Sequence, residues 1–486
     1  MEPALPAGAR VLELGCAGGG NLIPMAWYLP GASFLGIDKA LAPLAAGRAL
    51  AERLALSNLE LRQADIASLE PEALGEFDYI LIHGVWSWVP FPAQEQLLRI
   101  CGACLAPQGI AYISYNTLPG AAPRGMVRDL LRYHTRTIRD PGVRLTAVRG
   151  LLERLASVWA SDDAPLAQYL SREVAELRHA HPGYLFHEYL GEVSAPILFA
   201  DFMQRASQHG LGYLADADLH TMFPSTLPES AMVLVDSLEG LIEQEQHMDF
   251  LRYRHSRKTL LCRADIPLSH ELDLSRLREF AVSALLTPVQ RVDLTRVVAE
   301  DFAAPDGVRF SVTHPLTKAA LLCLAEAYPD AVAYPELEEA ALQRAAGARE
   351  WDVAGLIEEL FSLYAHRAIH LVTARETVYH GLSSHPRAHA LARAQAGAYL
   401  GHLATVRHTV LDVDPLAGQL VQLMDGTRNL DELVAELVVY LAHHTARAVV
   451  KGGAAELPPD GQLLAGCKHL MELFARHGLL EEPEKN

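Results

Sequence analysis

The sequence predicts an α/β fold built on a mostly parallel sheet, followed by a second, mainly helical half. Three observations support this fold class. Short apolar runs that end in polar residues recur over the first 120 residues, and Ala- and Leu-rich helical patterns separate them. The run at 11–14 breaks into glycines before a helical segment at 22–29. From about residue 270 the helical period dominates, which indicates a separate architecture there.

The first strand–turn–helix unit carries the most chemical information. Residues 13–20 read Glu-Leu-Gly-Cys-Ala-Gly-Gly-Gly, and Asn21 follows. This turn is neither a strict G-x-G-x-x-G nor the G-x-x-x-x-G-K of a P-loop. It resembles the first motif of class I S-adenosylmethionine (SAM) methyltransferases, in which an acid near the turn suits the ammonium group of the ligand. Glu13 would repel the pyrophosphate of a nicotinamide or flavin dinucleotide, so SAM is the expected cofactor.

Four further strands are expected at 32–38, 58–66, 77–84 and 109–116. Ligands of open α/β sheets bind beyond the carboxyl ends of the strands, so the residues that follow these strands are expected to meet at one edge. Asp38 suits the two hydroxyls of a ribose, and Asp65 either accepts the adenine amino group or caps a helix. The expected cofactor-binding residues are Glu13, Gly15, Cys16, Ala17, Gly18, Asn21, Asp38, Lys39, Asp65, Ile66, His83 and Gly84.

Composition narrows the partners and the compartment. The chain has 486 residues, half of them hydrophobic, and a formal net charge of −18, which disfavours a nucleic-acid substrate. No apolar run approaches the roughly 18 residues of a membrane span, so no membrane span is expected. The first residues lack a basic segment followed by an apolar core, so no secretory signal is expected. The six cysteines are scattered in apolar runs, which predicts reduced thiols in the cytoplasm, and the dispersed histidines predict no metal site. Long apolar helices are compatible with a homodimer.

Two further strands are expected to complete the sheet, and the residues beyond it are expected to form separate domains. A sixth strand at 211–215 and an antiparallel seventh at 259–263 would complete the first domain, 1–265, with helical insertions at about 120–195 and 216–255 and a regulatory region at about 196–265. Residues 266–375 are expected to form a connector and a winged-helix-like domain, and 376–486 a mainly helical, winged-helix-like domain. The helix at 334–345 carries three glutamates, which favours protein contact or a structural role over DNA binding. Five arginines at 124–139 predict a solvated face or a site for an acidic partner.

Several stretches together resemble one family, the bacterial class I methyltransferases with a methyltransferase regulatory domain. This family includes the outer-membrane-protein lysine methyltransferases of intracellular bacteria. The stretches are Gly-Gly-Gly-Asn at 18–21, His-Gly-Val-Trp-Ser-Trp-Val-Pro at 83–90, Ser-Tyr-Asn-Thr-Leu-Pro-Gly at 114–120, Phe-His-Glu-Tyr-Leu at 186–190, the run at 245–252 and Asp-Gly-Thr-Arg at 425–428. The resemblance implies a Rossmann-like seven-stranded sheet and SAM as the methyl donor, with S-adenosylhomocysteine as the product. It also implies an amine acceptor, most naturally a protein lysine.

An acceptor amine must lose a proton and reach the methyl group in line. An aromatic channel would desolvate the amine and hold its charge by cation–π attraction. Asn116 could accept a hydrogen bond from the amine, and Tyr115 or His187 could pass its proton to water. The expected catalytic residues are Trp86, Trp88, Tyr115, Asn116 and His187. Both tryptophans could instead pack against the inserted helices. The alternative functions are a small-molecule methyltransferase and a non-catalytic SAM-binding scaffold.

Overall fold

The computed structural model describes residues 1–160, 163–304, 307–345, 352–373, 378–379, 381–398, 401–450 and 460–483. The chain divides into two compact units, residues 1–49 with 57–269, and residues 50–56 with 270–486. The division near residue 269 lies close to the expected domain end at 265, whereas the expected boundary at 375 lies outside the described residues.

The first unit is organised around one seven-stranded sheet in the order β3-β2-β1-β4-β5-β7-β6. Strands β1 to β5 run parallel, and β7 lies antiparallel between β5 and β6. This topology confirms the predicted fold class and the predicted antiparallel seventh strand. The strands are β1 (Arg10–Leu14), β2 (Ser33–Asp38), β3 (Leu59–Gln63), β4 (Phe77–Ile82), β5 (Leu105–Asn116), β6 (Leu211–Asp216) and β7 (Ser256–Arg263).

Helices pack against this sheet, and its central strands bury apolar residues such as Leu12, Ile80 and Ile113. Three of the helices connect the parallel strands, and the others belong to the two segments inserted before and after β6. The helices are α1 (Leu22–Tyr28), α2 (Leu41–Arg53), α3 (Phe91–Cys104), α4 (Ala121–His134), α5 (Pro141–Ala160), α6 (Pro165–His179), α7 (Pro182–Tyr184), α8 (Phe199–Gln208), α9 (Glu229–Asp236) and α10 (Leu241–Leu251). Helix α7 continues into a π-helical turn at Leu185–Tyr189.

The second unit contains short strands and two helical cores. Strands β12, β8 and β13 form one three-stranded sheet, β11, β10 and β9 form another, and β14 pairs with β15 in a hairpin. The strands are β8 (Ala281–Ser283), β9 (Thr287–Pro288), β10 (Glu300–Ala303), β11 (Arg309–Val312), β12 (Val332–Ala333), β13 (His370–Val372), β14 (His402–Ala404) and β15 (Val410–Asp412). The helices are α11 (Pro315–Ala327), α12 (Tyr334–Arg344), α13 (Asp352–Ala365), α14 (Ala390–Gly397), α15 (Pro415–Leu423), α16 (Leu430–Val450) and α17 (Asp460–Arg476).

The helix expected at 334–345 is α12, Tyr334–Arg344. Helix α14 and the β14–β15 hairpin were not predicted, because α14 is only eight residues long and both hairpin strands have only three. Among the described helices, none combines the length and the apolar character that crossing a membrane requires.

A fully buried arginine ties the edge of the first sheet to its inserted helices. Arg257 on β7 donates to both carboxylate oxygens of Asp249, at 2.8 and 2.9 Å, and to Oε2 of Glu245 at 2.8 Å. Its guanidinium carbon lies 3.8 Å from the ring centre of Phe199. Burial raises the pKa of the Glu245 carboxyl, and the charge of Arg257 opposes that rise. The run at 245–252 therefore has a structural role, because two of its acids neutralise Arg257.

We expect Arg257→Met to destabilise the first unit by about 3–5 kcal/mol, because the change leaves buried Glu245 without its cation and leaves Asp249 only its 3.5 Å pair with Arg254. Arg263→Met, on the same strand, removes an exposed pair with Asp265 and should cost less than about 1 kcal/mol. Denaturant unfolding followed by tryptophan fluorescence measures the difference, since four of the five tryptophans lie in the first unit. Equal midpoints for the two variants would contradict this role for Arg257.

Candidate active site

The glycine turn after β1 is shaped by two close contacts. Gly15 has φ +81°, and a Cβ there would lie 2.3 Å from Cγ2 of Val85 in the loop after β4. Its amide donates to the carbonyl of Ile37 at 2.8 Å, which holds the turn against the end of β2. A Cβ on Gly18 would meet the carbonyl oxygen of Pro43 at 3.1 Å, at the start of α2. The turn therefore takes its path only with small residues at these positions.

Glu13 is a buried carboxylate with one oxygen left over. Glu13 is 4% exposed, and its Oε1 accepts a hydrogen bond from Nδ2 of Asn21 at 3.2 Å. Its Oε2 is buried and has no hydrogen-bond donor among the described residues. Burial raises the pKa of Glu13 to about 7, and the hydrogen bond from Asn21 opposes that rise. A positively charged ligand group beside the turn would supply the missing partner, and the ammonium group of SAM has this chemistry.

Asp38 connects the end of β2 to the glycine turn. Its Oδ2 accepts from the amide of Ala17 and its Oδ1 from the amide of Ala40, each at 2.8 Å. Each oxygen keeps a second lone pair, so Asp38 can still accept ribose hydroxyls. Lys39 beside it is exposed, whereas Cys16 is buried, and burial raises the pKa of its thiol to about 12. Cys16 is thus a packed thiol of the turn.

At the end of β3, Asp65 acts as a cap. Its Oδ1 accepts from the amide of Ala67 at 3.0 Å, at the start of a 3₁₀ turn at Ile66–Ser68. Asp65 therefore caps a turn, which was one of its two predicted roles. Its carboxylate remains exposed at the same sheet edge. Ile66 is half-buried and packs against the core of the first unit.

The loop after β4 starts with His83 and Gly84. Nδ1 of His83 lies 3.0 Å from the hydroxyl of Tyr112, and the amide of Gly84 donates to Oγ of Ser114 at 2.8 Å. Partial burial lowers the pKa of His83, and the charge of Lys258 adds to that effect. Both contacts hold this loop against β5, so the strand ends predicted to meet do lie along one edge.

Two of the expected channel residues lie in the core, which corrects their assignment. Trp86 is fully buried, with its ring 5.1 Å from that of Phe202 and 4.8 Å from the Arg205 guanidinium. Tyr115 is 3% exposed, stacks on Phe202 at 4.2 Å, and shares a 2.9 Å hydrogen bond with Thr259. Burial raises the pKa of the Tyr115 hydroxyl. Neither side chain faces an acceptor, because helix α8 packs over both.

Trp88 and Asn116 instead line a cavity of about 240 Å³ next to the end of β5. Glu188, on the π-helical turn Leu185–Tyr189, lines the same cavity. His187 precedes it on that turn and packs against Trp88, with the ring centres 5.0 Å apart. Partial burial lowers the pKa of His187, and a hydrogen bond with the Gly84 backbone opposes that shift. The other polar residues of the lining are Arg124, Arg128, Asp129, Tyr189, Ser194 and His255.

Glu188 was missed as a site residue by the sequence reasoning. Burial raises the pKa of Glu188 to about 7, although Arg124 and Arg128 oppose that rise. Each arginine has partners of its own: Arg124 pairs with Glu173 at 3.1 Å, and Arg128 donates to the carbonyl of Gly191. The solvated-face interpretation is therefore wrong for these two arginines. The only sequence signal for Glu188 was its place in the quoted run 186–190.

Comparisons with known proteins agree with this geometry. Residues 12–111 match a family described as "Methyltransferase domain", 181–263 match "Predicted methyltransferase regulatory domain", and 384–479 match "PKMT, C-terminal winged helix domain". Protein RP789 of Rickettsia prowazekii is 33% identical over 65% of this chain. The match covers 58% of the length of that relative. Protein RP028 of the same organism is 32% identical over 41% of this chain and 80% of its own length.

The solved structure of PKMT2 from Rickettsia typhi is similar along nearly the whole chain. It has a TM-score of 0.84 and 25% identity, and the match covers 99% of this chain and 95% of that one. The sheet order, the glycine turn and the buried acid beside it are those of a class I methyltransferase. The chain belongs to the family of SAM-dependent class I methyltransferases with a methyltransferase regulatory domain and a C-terminal winged helix.

We expect Gly15→Ala to weaken SAM binding at least tenfold. An alanine at φ +81° costs about 1–2 kcal/mol, and its Cβ would also displace Val85 from the turn. Gly150→Ala on α5 is the control, because nothing lies within 4 Å of a Cβ at that position and the residue lies outside the glycine turn. Titration calorimetry with SAM measures both affinities. An unchanged affinity in Gly15→Ala would show that the turn does not shape the cofactor site.

Proposed function

We propose that this protein transfers a methyl group from SAM to the side-chain amine of a lysine in a protein substrate. The observation that carries the proposal is the cavity next to the end of β5, where an indole, an amide and a half-buried carboxylate converge. These groups are Trp88, Asn116 and Glu188. Similarity to PKMT2 and the match to the winged helix domain described for PKMT support a protein acceptor.

The cofactor would be held along the edge where the strands β1 to β4 end. Glu13 would face the ammonium group, Asp38 the ribose hydroxyls, and the turn at 15–21 would follow the ligand closely. Asp65 and Ile66 would border the adenine, and His83 and Gly84 would close the side nearest β5. When bound, SAM supplies a methyl group already activated by its sulfonium charge.

The chain's own residues must then prepare the amine. A lysine amine has a reference pKa of about 10.4, so it arrives protonated and has no free lone pair. The Trp88 face would hold the ammonium by cation–π attraction, and partial desolvation in the cavity would lower its pKa. The carboxylate of Glu188 would accept the departing proton, and the Asn116 side-chain oxygen would accept a hydrogen bond that orients the lone pair. His187 would position Trp88 through their ring contact.

Three expectations from the sequence stay predictions: a cytoplasmic location, a homodimer, and the absence of a nucleic-acid substrate. The net charge of −18 supports the last of them, because phosphate contacts require basic surface.

The acceptor can be identified by transfer from labelled SAM to a lysate. We expect label in protein, with methyl-lysine as the labelled amino acid after acid hydrolysis. Label in small molecules alone would support a metabolite methyltransferase instead. SAM binding with no labelled product would support a scaffold. Methyl groups on oxygen or on another amino acid would reject the lysine assignment while leaving the transferase class intact.

We expect Glu188→Gln to lower turnover about 10²-fold with little change in SAM affinity, because the amide cannot accept the amine proton. The raised pKa of Glu188, about 7, means that its carboxylate form dominates above pH 7. The kcat/KM of the unmodified protein should therefore rise with pH through about 7, and this rise should vanish in Glu188→Gln.

Glu192→Gln is the matched control, since Glu192 is exposed four residues further along the same segment. If kcat/KM of Glu188→Gln rises only at a higher pH, that rise reports the deprotonation of the substrate amine. The same pH profile in both proteins would remove Glu188 from the proton transfer.

A further inference from the structure

A second cavity lies entirely within the second unit, away from the features used above. It has a volume of about 480 Å³, which is the size of a small-molecule site. Three arginines line it: Arg367 after α13, Arg407 in the turn of the β14–β15 hairpin, and Arg476 at the end of α17. His370 and His477 line it too, and the described lining contains no Asp or Glu.

This concentration of positive charge is unusual for a chain with a net charge of −18. Basic side chains at helix ends are common because they oppose the negative end of the helix dipole, and this accounts for Arg367 and Arg476 one at a time. It does not account for Arg407, which comes from a hairpin, or for the convergence of all three. Among the described residues, neither Arg407 nor Arg476 has a carboxylate within ion-pair distance.

The local backbone holds these groups in place. Arg367 has φ +62° in the position after α13 where glycine is normally favoured, and His408, next to Arg407, has φ +53°. The hairpin turn is fastened by a 2.7 Å hydrogen bond between the hydroxyls of Thr405 and Thr409. Arg407 lies over the ring of Tyr328, 5.4 Å from its centre. Arg407 and Arg476 place like charges at one cavity, and a bound anion would offset their repulsion.

We propose that this cavity binds a small, multiply charged oxyanion that carries an apolar body. Guanidinium groups donate paired hydrogen bonds that match phosphate and carboxylate oxygens. The lining also contains apolar side chains, including Leu285, Leu371 and Val406, which would cover the uncharged part of the ligand. The volume of about 480 Å³ favours a small molecule over a nucleic-acid duplex or an extended acidic peptide.

Titration calorimetry of the full chain with sodium pyrophosphate at low ionic strength tests this proposal. We expect saturable binding at one site that weakens as NaCl is added. Arg476→Ala and Arg407→Ala should each weaken it at least tenfold. Arg276→Gln, which removes an exposed pair with Glu279, should leave it unchanged. Thermal unfolding of each variant shows whether it is folded, and exposed Arg476 provides the safer substitution.

Titration with citrate separates the two sources of the anion. Tighter binding of pyrophosphate assigns the site to a phosphate-bearing ligand, and tighter binding of citrate assigns it to a polycarboxylate. No saturable binding of either anion would overturn the proposal, as would binding that survives in the Arg407→Ala, Arg476→Ala double variant. Binding only of an Asp/Glu-rich peptide or of duplex DNA, lost in the same variants, would also overturn it.

Discussion

The active-site edge depends on a buried guanidinium that holds β7 beside β5. Arg257 faces Tyr115 across the two strands, and its charge is neutralised by Asp249 and Glu245 from α10. Because a buried charge is tolerated only with well-placed partners, this cluster locks the register of β7. That register brings His255, just before β7, to the cavity that Asn116 lines at the end of β5. The ion pairs of Arg257 thus add to the β5–β7 pairing that positions one wall of this cavity.

The proposed cofactor edge and the proposed acceptor cavity have a second feature in common, which is a buried acid. Glu13 and Glu188 each have a pKa raised to about 7 because burial outweighs their polar contacts. A carboxylate in such an environment gains from a cationic partner more than an exposed one does. The two acids suit the two cations of the proposed reaction, the ammonium group of SAM and the substrate amine.

The second unit uses the opposite electrostatics. Its cavity gathers arginines from two helix ends and a hairpin, and no described acid lines it. The second unit thus contains a basic cavity, although its helix α12 carries three glutamates. If the second unit binds an anion, its role is more than structural. Its ligand would then differ in charge from both proposed ligands of the first unit.

The sequence by itself determined the sheet, most helices and the polar strand ends, because hydrophobic period, glycine turns and terminal acids are local signals. It also placed Asp38, Asn116 and the residues at 13–21 at one edge, since parallel strands end on the same side. Only the tertiary structure decided between Trp86 and Trp88. They stand two residues apart on one short turn, and helix α8, distant in the chain, packs over the first and leaves the second at the cavity.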